Sequence, residues 1–254
     1  MLLVIDIGNT NTVIGIFDDG GQLVRDWRIR TEKDTTEDEL SVLVASLFSG
    51  AGIAFGDITK TVISSVVPPV ERIYEVFCRK YLTCMPKWVD ATTESGITIR
   101  YANPSEVGAD RIVNAAAAYD KYRTNMIVVD FGTAITFDLI SDKGEYTGGV
   151  IAPGIGIAAE ALSMHAAKLP RIDLLNAPYT LIGHDTASSI KSGMIFGFAG
   201  LVDGIVNRIQ QTAPAPYKVI ATGGLASLIA DISETIEAVE PNLTLEGLRI
   251  IGTN

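Results

Sequence analysis

Several kinds of functional site are excluded because the sequence lacks the residues that build them. Its two cysteines, Cys78 and Cys84, have no further Cys or His neighbours of the kind a zinc site requires, and two thiols do not make a disulfide framework. We assign no chemistry to the two histidines, His165 and His184. No Gly-Lys-Ser/Thr sequence occurs, so a P-loop nucleotide site is excluded.

Positive charge is also scarce. The 254 residues include 20 Lys and Arg against 30 Asp and Glu, which gives a formal net charge of −10, and no basic run occurs. Phosphate contacts on nucleic acids need clustered Lys and Arg. The charge therefore argues against a nucleic-acid surface and favours a small-molecule ligand.

Long apolar runs are missing as well. Residues 1–5 lack the basic region of a secretory signal, and Asp6 interrupts their apolar run. No stretch approaches the ~20 apolar residues that span a bilayer, so we expect a cytoplasmic protein with no membrane partner. The 47% hydrophobic residues indicate an ordinary globular protein, and the length suits two domains of about 120 residues.

Two stretches of the sequence match each other without a gap. Residues 4–21 read VIDIGNTNTVIGIFDDGG and residues 128–145 read VVDFGTAITFDLISDKGE. Each reads as an apolar strand, Asp-x-Gly with small polar residues, a second apolar strand and a polar turn containing Gly. Asp6 matches Asp130 at an offset of close to half the chain, which indicates two domains built alike.

We therefore expect a mixed α/β fold of two similar domains, residues 1–118 and 119–254. Residues 60–67 and 217–224 fit, because each is an apolar strand that breaks into a small-residue loop before a predicted helix. Two like domains create a cleft, which is a favoured ligand site, and Asp6 and Asp130 would look into it from opposite sides. Alternatively, each Asp only stabilises its own turn, since Asx-turns are common in hairpins.

The residues of both hairpin bends suit phosphate. Residues 8–11 and 132–136 combine close backbone approach with amide and hydroxyl donors. A carboxylate would repel phosphate unless a cation lay between them, so Asp6 implies Mg²⁺, which takes oxygen ligands and keeps several waters. The predicted ligand is a nucleotide with hydrated magnesium.

Two other glycine-rich stretches each allow two interpretations. GIGIAA, residues 154–159, matches a lone Gly-x-Gly-x-x-Ala dinucleotide pattern, but it follows YTGGVIAP, and a turn leading into a helix is the alternative. TGG, residues 222–224, ends a predicted strand and could let an adenine ring or ribose lie against backbone, or it could simply lead into a helix.

YANPSEVGADRIVNAAAAY, residues 101–119, predicts a loop followed by an Ala-rich helix. Asp110 suits the start of a helix and needs no functional role there. Arg111 opposes the helix dipole, which is explained if it binds an anion or a carboxylate bidentately.

These motifs together resemble the type III pantothenate kinases, a family of the actin, hexokinase and sugar-kinase superfamily with duplicated ribonuclease-H-like domains. DIGNTNT resembles the family's first phosphate motif, NPSEVGADR its pantothenate and catalytic segment, DFGTAIT its second phosphate and cation motif, and GGVIAPG and ATGG its later loops. The resemblance implies ATP-dependent phosphorylation of pantothenate to 4′-phosphopantothenate, the first step of coenzyme A biosynthesis. It also implies an ATP cleft between the domains, Mg²⁺, and a monovalent cation, K⁺ or NH₄⁺.

The resemblance further implies roles for individual residues. Asp110 would be the catalytic base, Asp6 would organise magnesium through water, and Asp130 would bind the monovalent cation. The expected ATP-binding residues are Asp6, Ile7, Gly8, Asn9, Thr10, Asn11, Thr12, Val13, Thr133, Gly223 and Gly224. The expected pantothenate-binding residues are Tyr101, Gly108, Ala109, Asp110, Arg111 and Thr186, although Thr186 could instead be a helix N-cap.

A glycine stripe lies on the helix predicted after Thr186. Gly193, Gly197, Gly200 and Gly204 recur at intervals that place them on one helix face. Each interior Gly costs about 1 kcal/mol relative to Ala, so the stripe needs an offset from close packing. We expect a homodimer through or near this helix, which the resemblance also implies, with packing inside the domain as the alternative.

A rival interpretation is an accessory or regulatory protein that keeps the nucleotide site and transfers nothing. A third is another small-alcohol kinase of the superfamily. The acceptor segment GADR, with Tyr101 and Thr186, favours a kinase, because a nucleotide sensor has no need for a second substrate.

Overall fold

Two mixed α/β units, each with its own sheet flanked by helices, form the structure, as the repeat predicted. The computed structural model describes residues 1–174, 180–213 and 215–253. Unit 1 comprises residues 1–120 and the last helix, and unit 2 comprises residues 121–242.

The elements follow in an order that is similar in both units. The strands are β1 (Leu2–Ile7), β2 (Asn11–Phe17), β3 (Leu23–Arg30), β4 (Lys60–Ser65), β5 (Lys87–Trp88), β6 (Thr98–Ile99), β7 (Met126–Phe131), β8 (Ala134–Ile140), β9 (Glu145–Pro153), β10 (Lys218–Gly223) and β11 (Ala238–Val239). The helices are α1 (Glu37–Ser49), α2 (Pro68–Phe77), α3 (Ala109–Tyr122), α4 (Ile155–His165), α5 (Thr186–Thr212), α6 (Ala226–Ala230) and α7 (Leu243–Thr253).

The sheet of unit 1 has the strand order β3, β2, β1, β4, β5. The first three strands pair antiparallel, whereas β1 with β4 and β4 with β5 pair parallel. β1 is the middle strand and is almost continuously apolar, as expected of a strand covered on both faces. Its one polar residue, Asp6, therefore stands out in the sequence.

Unit 2 repeats this arrangement strand for strand. Its own strands lie in the order β11, β10, β7, β8, β9, again with two antiparallel pairs and two parallel pairs. β7 thus takes the place of β1, and Asp130 takes the place of Asp6. The gapless match of the two hairpins reflects this shared topology.

The last helix departs from the expected division at residues 118 and 119, because α7 belongs to unit 1. A Cβ at Gly247 of α7 would lie 2.1 Å from the carbonyl oxygen of Val113 on α3. Gly252, five residues further on, lies against the side chains of Leu2 and Val62. These close approaches hold α7 on α3 and on the sheet of unit 1.

Apolar side chains of α5 form much of the core of unit 2. Ile195, Ala199, Val202 and Val206 pack with the apolar face of β7 and β8. α5 is nevertheless long and apolar enough to cross a bilayer by length and composition, with 28% of its most apolar window buried. The sequence expectation of no such stretch is therefore wrong for this helix, although core packing explains part of its apolar character.

Candidate active site

The bend between β1 and β2 is tightly closed. The Gly8 amide donates to the Asn11 carbonyl oxygen at 3.0 Å, and a Cβ at Gly8 would lie 3.0 Å from the same oxygen. The side chains of residues 9–11 are exposed, whereas those of Ile7 and Thr12 are fully buried. The bend therefore offers two Asn side chains and one Thr side chain to a ligand.

Asp6 lies one residue before the end of β1. Its Oδ1 accepts a hydrogen bond of 2.7 Å from Oγ of Ser64, its neighbour on β4. Burial raises the pKa of Asp6 and the nearby carboxylate of Asp110 raises it further, to about 7, against the opposing effect of the Ser64 hydrogen bond. Two carboxylates of unit 1 are thus close enough to repel each other.

Asp110 is the second residue of α3, as the sequence predicted for a helix start. Its Oδ1 accepts a hydrogen bond of 2.8 Å from the Arg111 backbone amide, and the helix N-terminus favours a negative charge there. A Cβ at Gly108 would lie 2.5 Å from Oδ1 of Asp110. Gly108 therefore leaves the space in which this carboxylate lies.

A divalent cation fits beside these two carboxylates if other oxygen ligands arrive with it. Among residues 1–174, 180–213 and 215–253, no group of three or more His, Cys, Asp or Glu could hold a metal. Mg²⁺ commonly binds one or two carboxylates together with substrate phosphates and waters. A cation would also relieve the repulsion between Asp6 and Asp110. The donor set suits a magnesium ion that is shared with a phosphate ligand.

The corresponding bend of unit 2, between β7 and β8, is fixed from the start of α4. The Gly132 amide donates to the Ala134 carbonyl oxygen, and the Gly154 amide donates to the Thr133 carbonyl oxygen, both at 3.1 Å. A Cβ at Gly154 would lie 2.2 Å from that Thr133 oxygen. Only glycine at 154 allows this approach, so the GGVIAPG loop supports the bend directly.

Asp130 lies against the end of β10. Gly223 has a φ of +93°, and a Cβ there would lie 2.6 Å from Oδ1 of Asp130 and 2.7 Å from the Phe131 backbone nitrogen and oxygen. Within unit 2, the groups that approach the backbone of the TGG stretch are therefore the Asp130 carboxylate and the Phe131 backbone, and the expected contact with an adenine ring or ribose stays a prediction.

Two helix starts decide alternatives that the sequence left open. α4 follows β9, which pairs antiparallel with β8, so GIGIAA opens no βαβ unit and the dinucleotide interpretation is wrong.

The N-cap of α5 is Asp185, whose Oδ1 accepts from the Ser188 amide at 2.8 Å. Thr186 is the first residue of α5 and is exposed, so it is not the N-cap.

Comparison with known proteins assigns the family. The model of the type III pantothenate kinase family matches residues 2–208. The type III pantothenate kinase of Desulfosudis oleivorans is 69% identical over 254 residues, which cover 100% of this chain and 99% of that protein. The type III pantothenate kinase of Desulfatibacillum aliphaticivorans is 59% identical over 251 residues, covering 99% and 97%. The chain belongs to this family.

As a type III pantothenate kinase, the chain is an enzyme that phosphorylates pantothenate in coenzyme A biosynthesis, with ATP as a substrate. The resemblance inferred from the motifs is confirmed. Component A of (R)-2-hydroxyglutaryl-CoA dehydratase from Acidaminococcus fermentans, a solved structure, is similar in fold, with a TM-score of 0.57 at 15% identity over 99% of this chain and 95% of that one.

The expected site residues of the kinase fall into two groups. Unit 1 holds the bend between β1 and β2, here called the first bend, and it brings Asp6 and Asp110 together. It also contains Tyr101 and the buried Arg111. Unit 2 holds the bend between β7 and β8, here called the second bend, with Thr133, and it brings Asp130 and Gly223 together next to Gly224. Thr186 also belongs to unit 2, at the start of α5.

Sequence reasoning missed a buried carboxylate on β8, the strand that follows the second bend of the kinase. Asp138 on β8 is fully buried and accepts hydrogen bonds from the Tyr146 hydroxyl at 2.7 Å and from Oγ1 of Thr136 at 3.0 Å. Thr136 is the β-sheet partner of Asp130. The signal that could have found it is a charged residue at a core position of the apolar strand AITFDLI.

Proposed function

We propose that this kinase transfers the γ-phosphoryl group of ATP in line to the primary alcohol of pantothenate, with Asp110 accepting the alcohol proton. The supporting observation is the pairing of carboxylates in unit 1, where the charge of Asp110 contributes to the raised pKa of Asp6. A loose phosphoryl-transfer transition state leaves the protein mainly to position the reactants, neutralise charge and accept the proton late. Asp110 is near enough to Asp6 to act where the phosphate would be bound.

The first bend would bind the ATP phosphates. Asp6, Ile7, Gly8, Asn9, Thr10, Asn11, Thr12 and Val13 form the proposed segment, with Thr133, Gly223 and Gly224 contributed by unit 2. Asp6 would hold Mg²⁺ through water, which supplies the positive charge that lets phosphate lie near a carboxylate. Because Ile7 and Thr12 are fully buried, we assign their part of the binding to the backbone.

Pantothenate would bind to the segment that leads into α3. Arg111 would meet the pantothenate carboxylate, since guanidinium and carboxylate match bidentately. Tyr101, Gly108, Ala109 and Thr186 complete the proposed set. Asp130 would hold the monovalent cation, K⁺ or NH₄⁺, beside the second bend.

ADP release, measured with and without pantothenate and in K⁺ and in Na⁺, tests the reaction. We expect ADP only when pantothenate and K⁺ are both present, because the alcohol is the acceptor and Na⁺ is too small for a site suited to K⁺. Glycerol and sugars are the control acceptors. ADP release that is independent of pantothenate would contradict the acceptor, and equal rates in K⁺ and Na⁺ would contradict the cation.

We also propose that the kinase is a cytoplasmic homodimer that pairs through α5. A Cβ at Gly193, Gly197 or Gly200 would meet no atom of the described residues within 4 Å. Packing among the described residues of unit 2 therefore does not account for these three glycines. A second copy of the chain would cover the stripe and allow close backbone approach.

Light scattering at micromolar concentration should report twice the chain mass of 27.1 kDa. Gly197→Glu should give a folded monomer, because Glu is a better helix former than Gly but places a charge in the interface. Gly56→Glu is the matched control, since a Cβ there also meets no atom of the described residues and Gly56 lies in unit 1. A wild-type monomer, or a Gly197→Glu dimer, would contradict the proposal.

A further inference from the structure

We propose that Thr31 is a positioning residue for the first bend of this kinase, and that it acts through two directed hydrogen bonds, from Thr12 to Thr31 and from Thr31 to the Gly8 carbonyl oxygen. This inference rests on the proposed function for the assignment of that bend to ATP. Thr31 follows directly after β3 and lies outside every motif that the sequence analysis singled out.

Thr31 holds the bend at three points. Its Oγ1 donates to the Gly8 carbonyl oxygen at 2.7 Å, and its backbone amide donates to the Thr10 carbonyl oxygen at 3.1 Å. Its Oγ1 also lies 2.9 Å from Oγ1 of Thr12, the second residue of β2. Thr31 thereby fixes the backbone carbonyls of Gly8 and Thr10, on the two sides of Asn9, while residues 9–11 stay exposed.

The direction of the hydrogen bonds follows from counting protons. A hydroxyl has one proton to donate, and Thr31 gives its proton to the carbonyl oxygen of Gly8, which can only accept. Thr12 must therefore donate to Thr31 across the 2.9 Å contact. Two hydrogen bonds therefore run in one direction, from Thr12 to Thr31 and from Thr31 to the Gly8 carbonyl oxygen.

The two hydroxyls that hold the bend are shielded from water. Thr12 is 0% exposed and Thr31 is 9% exposed. A hydrogen bond between buried groups is costly to leave unmade, because water cannot readily replace the lost partner.

This geometry makes Thr31 a positioning residue, because it acts on the ligand through the carbonyls of Gly8 and Thr10. Loss of its hydroxyl leaves the Gly8 carbonyl oxygen without its Thr31 partner and leaves the Thr12 proton without its acceptor. The bend would then have to be ordered when ATP binds. Affinity for ATP should fall, whereas affinity for pantothenate should not.

Thr31→Val tests the inference because valine keeps the shape of threonine and removes the hydroxyl. We expect the Kd for a non-hydrolysable ATP analogue with Mg²⁺, measured by titration calorimetry without pantothenate, to rise about tenfold. The KM for ATP should rise by a similar factor, with the KM for pantothenate unchanged. Thr31→Ser, which restores the hydroxyl, should return the Kd to within about twofold of the wild type.

Thr61→Val is the matched control. Thr61 is a buried threonine on β4 of the same unit, and its hydroxyl pairs with Sγ of Cys84, away from the bend. The control should leave both KM values unchanged. If Thr31→Val does not fold, Thr31→Ala also removes the hydroxyl and should raise the Kd for the ATP analogue in the same direction.

Each outcome separates the inference from the proposed function. An unchanged Kd in Thr31→Val, or equal rises in both KM values, would overturn the inference while leaving the kinase assignment intact. A Thr31→Ser protein that is as weak as Thr31→Val would also overturn it, because the hydroxyl would then be irrelevant. A wild-type protein that binds the ATP analogue but releases no ADP with pantothenate would instead contradict the proposed reaction.

Discussion

Replacing Asp110 with asparagine should lower kcat by about 10²–10⁴-fold, the range typical for loss of a general acid or base. Asparagine has the same shape but cannot take the proton of the pantothenate alcohol. Its side-chain oxygen can still accept the hydrogen bond that Oδ1 of Asp110 receives from the Arg111 amide. The start of α3 should therefore stay folded, and the affinity for an ATP analogue should change little. A coupled ADP assay and titration calorimetry measure the two quantities.

Glu106→Gln is the matched control for charge. Glu106 is exposed in the same acceptor segment and hydrogen-bonds to Asn103, so its loss removes one negative charge four residues from Asp110. Its kcat should stay within about twofold of the wild type, as for most surface substitutions. A near-normal rate in Asp110→Asn, or an equal loss in Glu106→Gln, would reject Asp110 as the proton acceptor.

Asp110→Asn also has a consequence that does not depend on turnover. The Asp110 carboxylate contributes to the raised pKa of Asp6, and a neutral side chain removes that contribution. The pKa of Asp6 should therefore fall in this variant, although burial still keeps it above the ordinary value. Carboxyl NMR titration of the ligand-free protein would detect the fall, and no change would contradict the proximity of the two groups.

Much of the fold could be predicted from the sequence because the informative signals were local. In each half, about fifteen residues contain all three signals, namely the Asp in an apolar strand, the tight Gly bend and the following strand. These signals gave the placement of Asp6 on β1 and of Asp130 on β7. The mixed sheets followed because the same pattern appears twice at half-chain spacing.

The contacts that hold the bends were missed for a physical reason, namely that they come from residues directly after the third strand of each unit. Thr31 follows β3 and Gly154 follows β9, and both donate a backbone amide to a carbonyl oxygen of the bend in their own unit. A gapless comparison does not align them, because Thr31 lies 25 residues after Asp6 and Gly154 lies 24 residues after Asp130. Irregular pairing at the β2–β3 and β8–β9 junctions shifts the register.

Ser64 and α7 were missed because their roles depend on long-range contacts. Ser64 becomes the partner of Asp6 only when β4 pairs parallel with β1, after a long crossover. α7 returns to unit 1 because Gly247 lets it approach Val113, which no periodicity within residues 243–253 indicates. Topology, and not local pattern, supplies these contacts.

The contribution of Asp6 to the stability of the ligand-free kinase should fall as pH rises from about 4 to about 7, so the wild type should lose stability relative to Asp6→Asn over this range. The pKa of Asp6 is raised from 3.8 to about 7 by burial and by Asp110, so the folded state binds this proton more tightly than the unfolded chain. The stabilisation is therefore complete below the unfolded pKa and is lost as pH passes the folded pKa. Thermal unfolding from pH 5 to 8 measures the effect.

A ligand that needs ionised Asp6 must displace this proton. Binding of an ATP analogue with Mg²⁺ near pH 6 should release up to about one proton from Asp6, and the release should vanish well above pH 7. Calorimetry in buffers of different ionisation enthalpy counts the proton. Asp6→Asn should bind without this release and should lose kcat, whereas Asp19→Asn, an exposed turn residue of the same unit, should behave as the wild type. If the wild type, Asp6→Asn and Asp19→Asn all released the same number of protons, the proton would not come from Asp6. Asp6 would then not be forced to ionise when the cation binds, which would contradict its role in holding the cation.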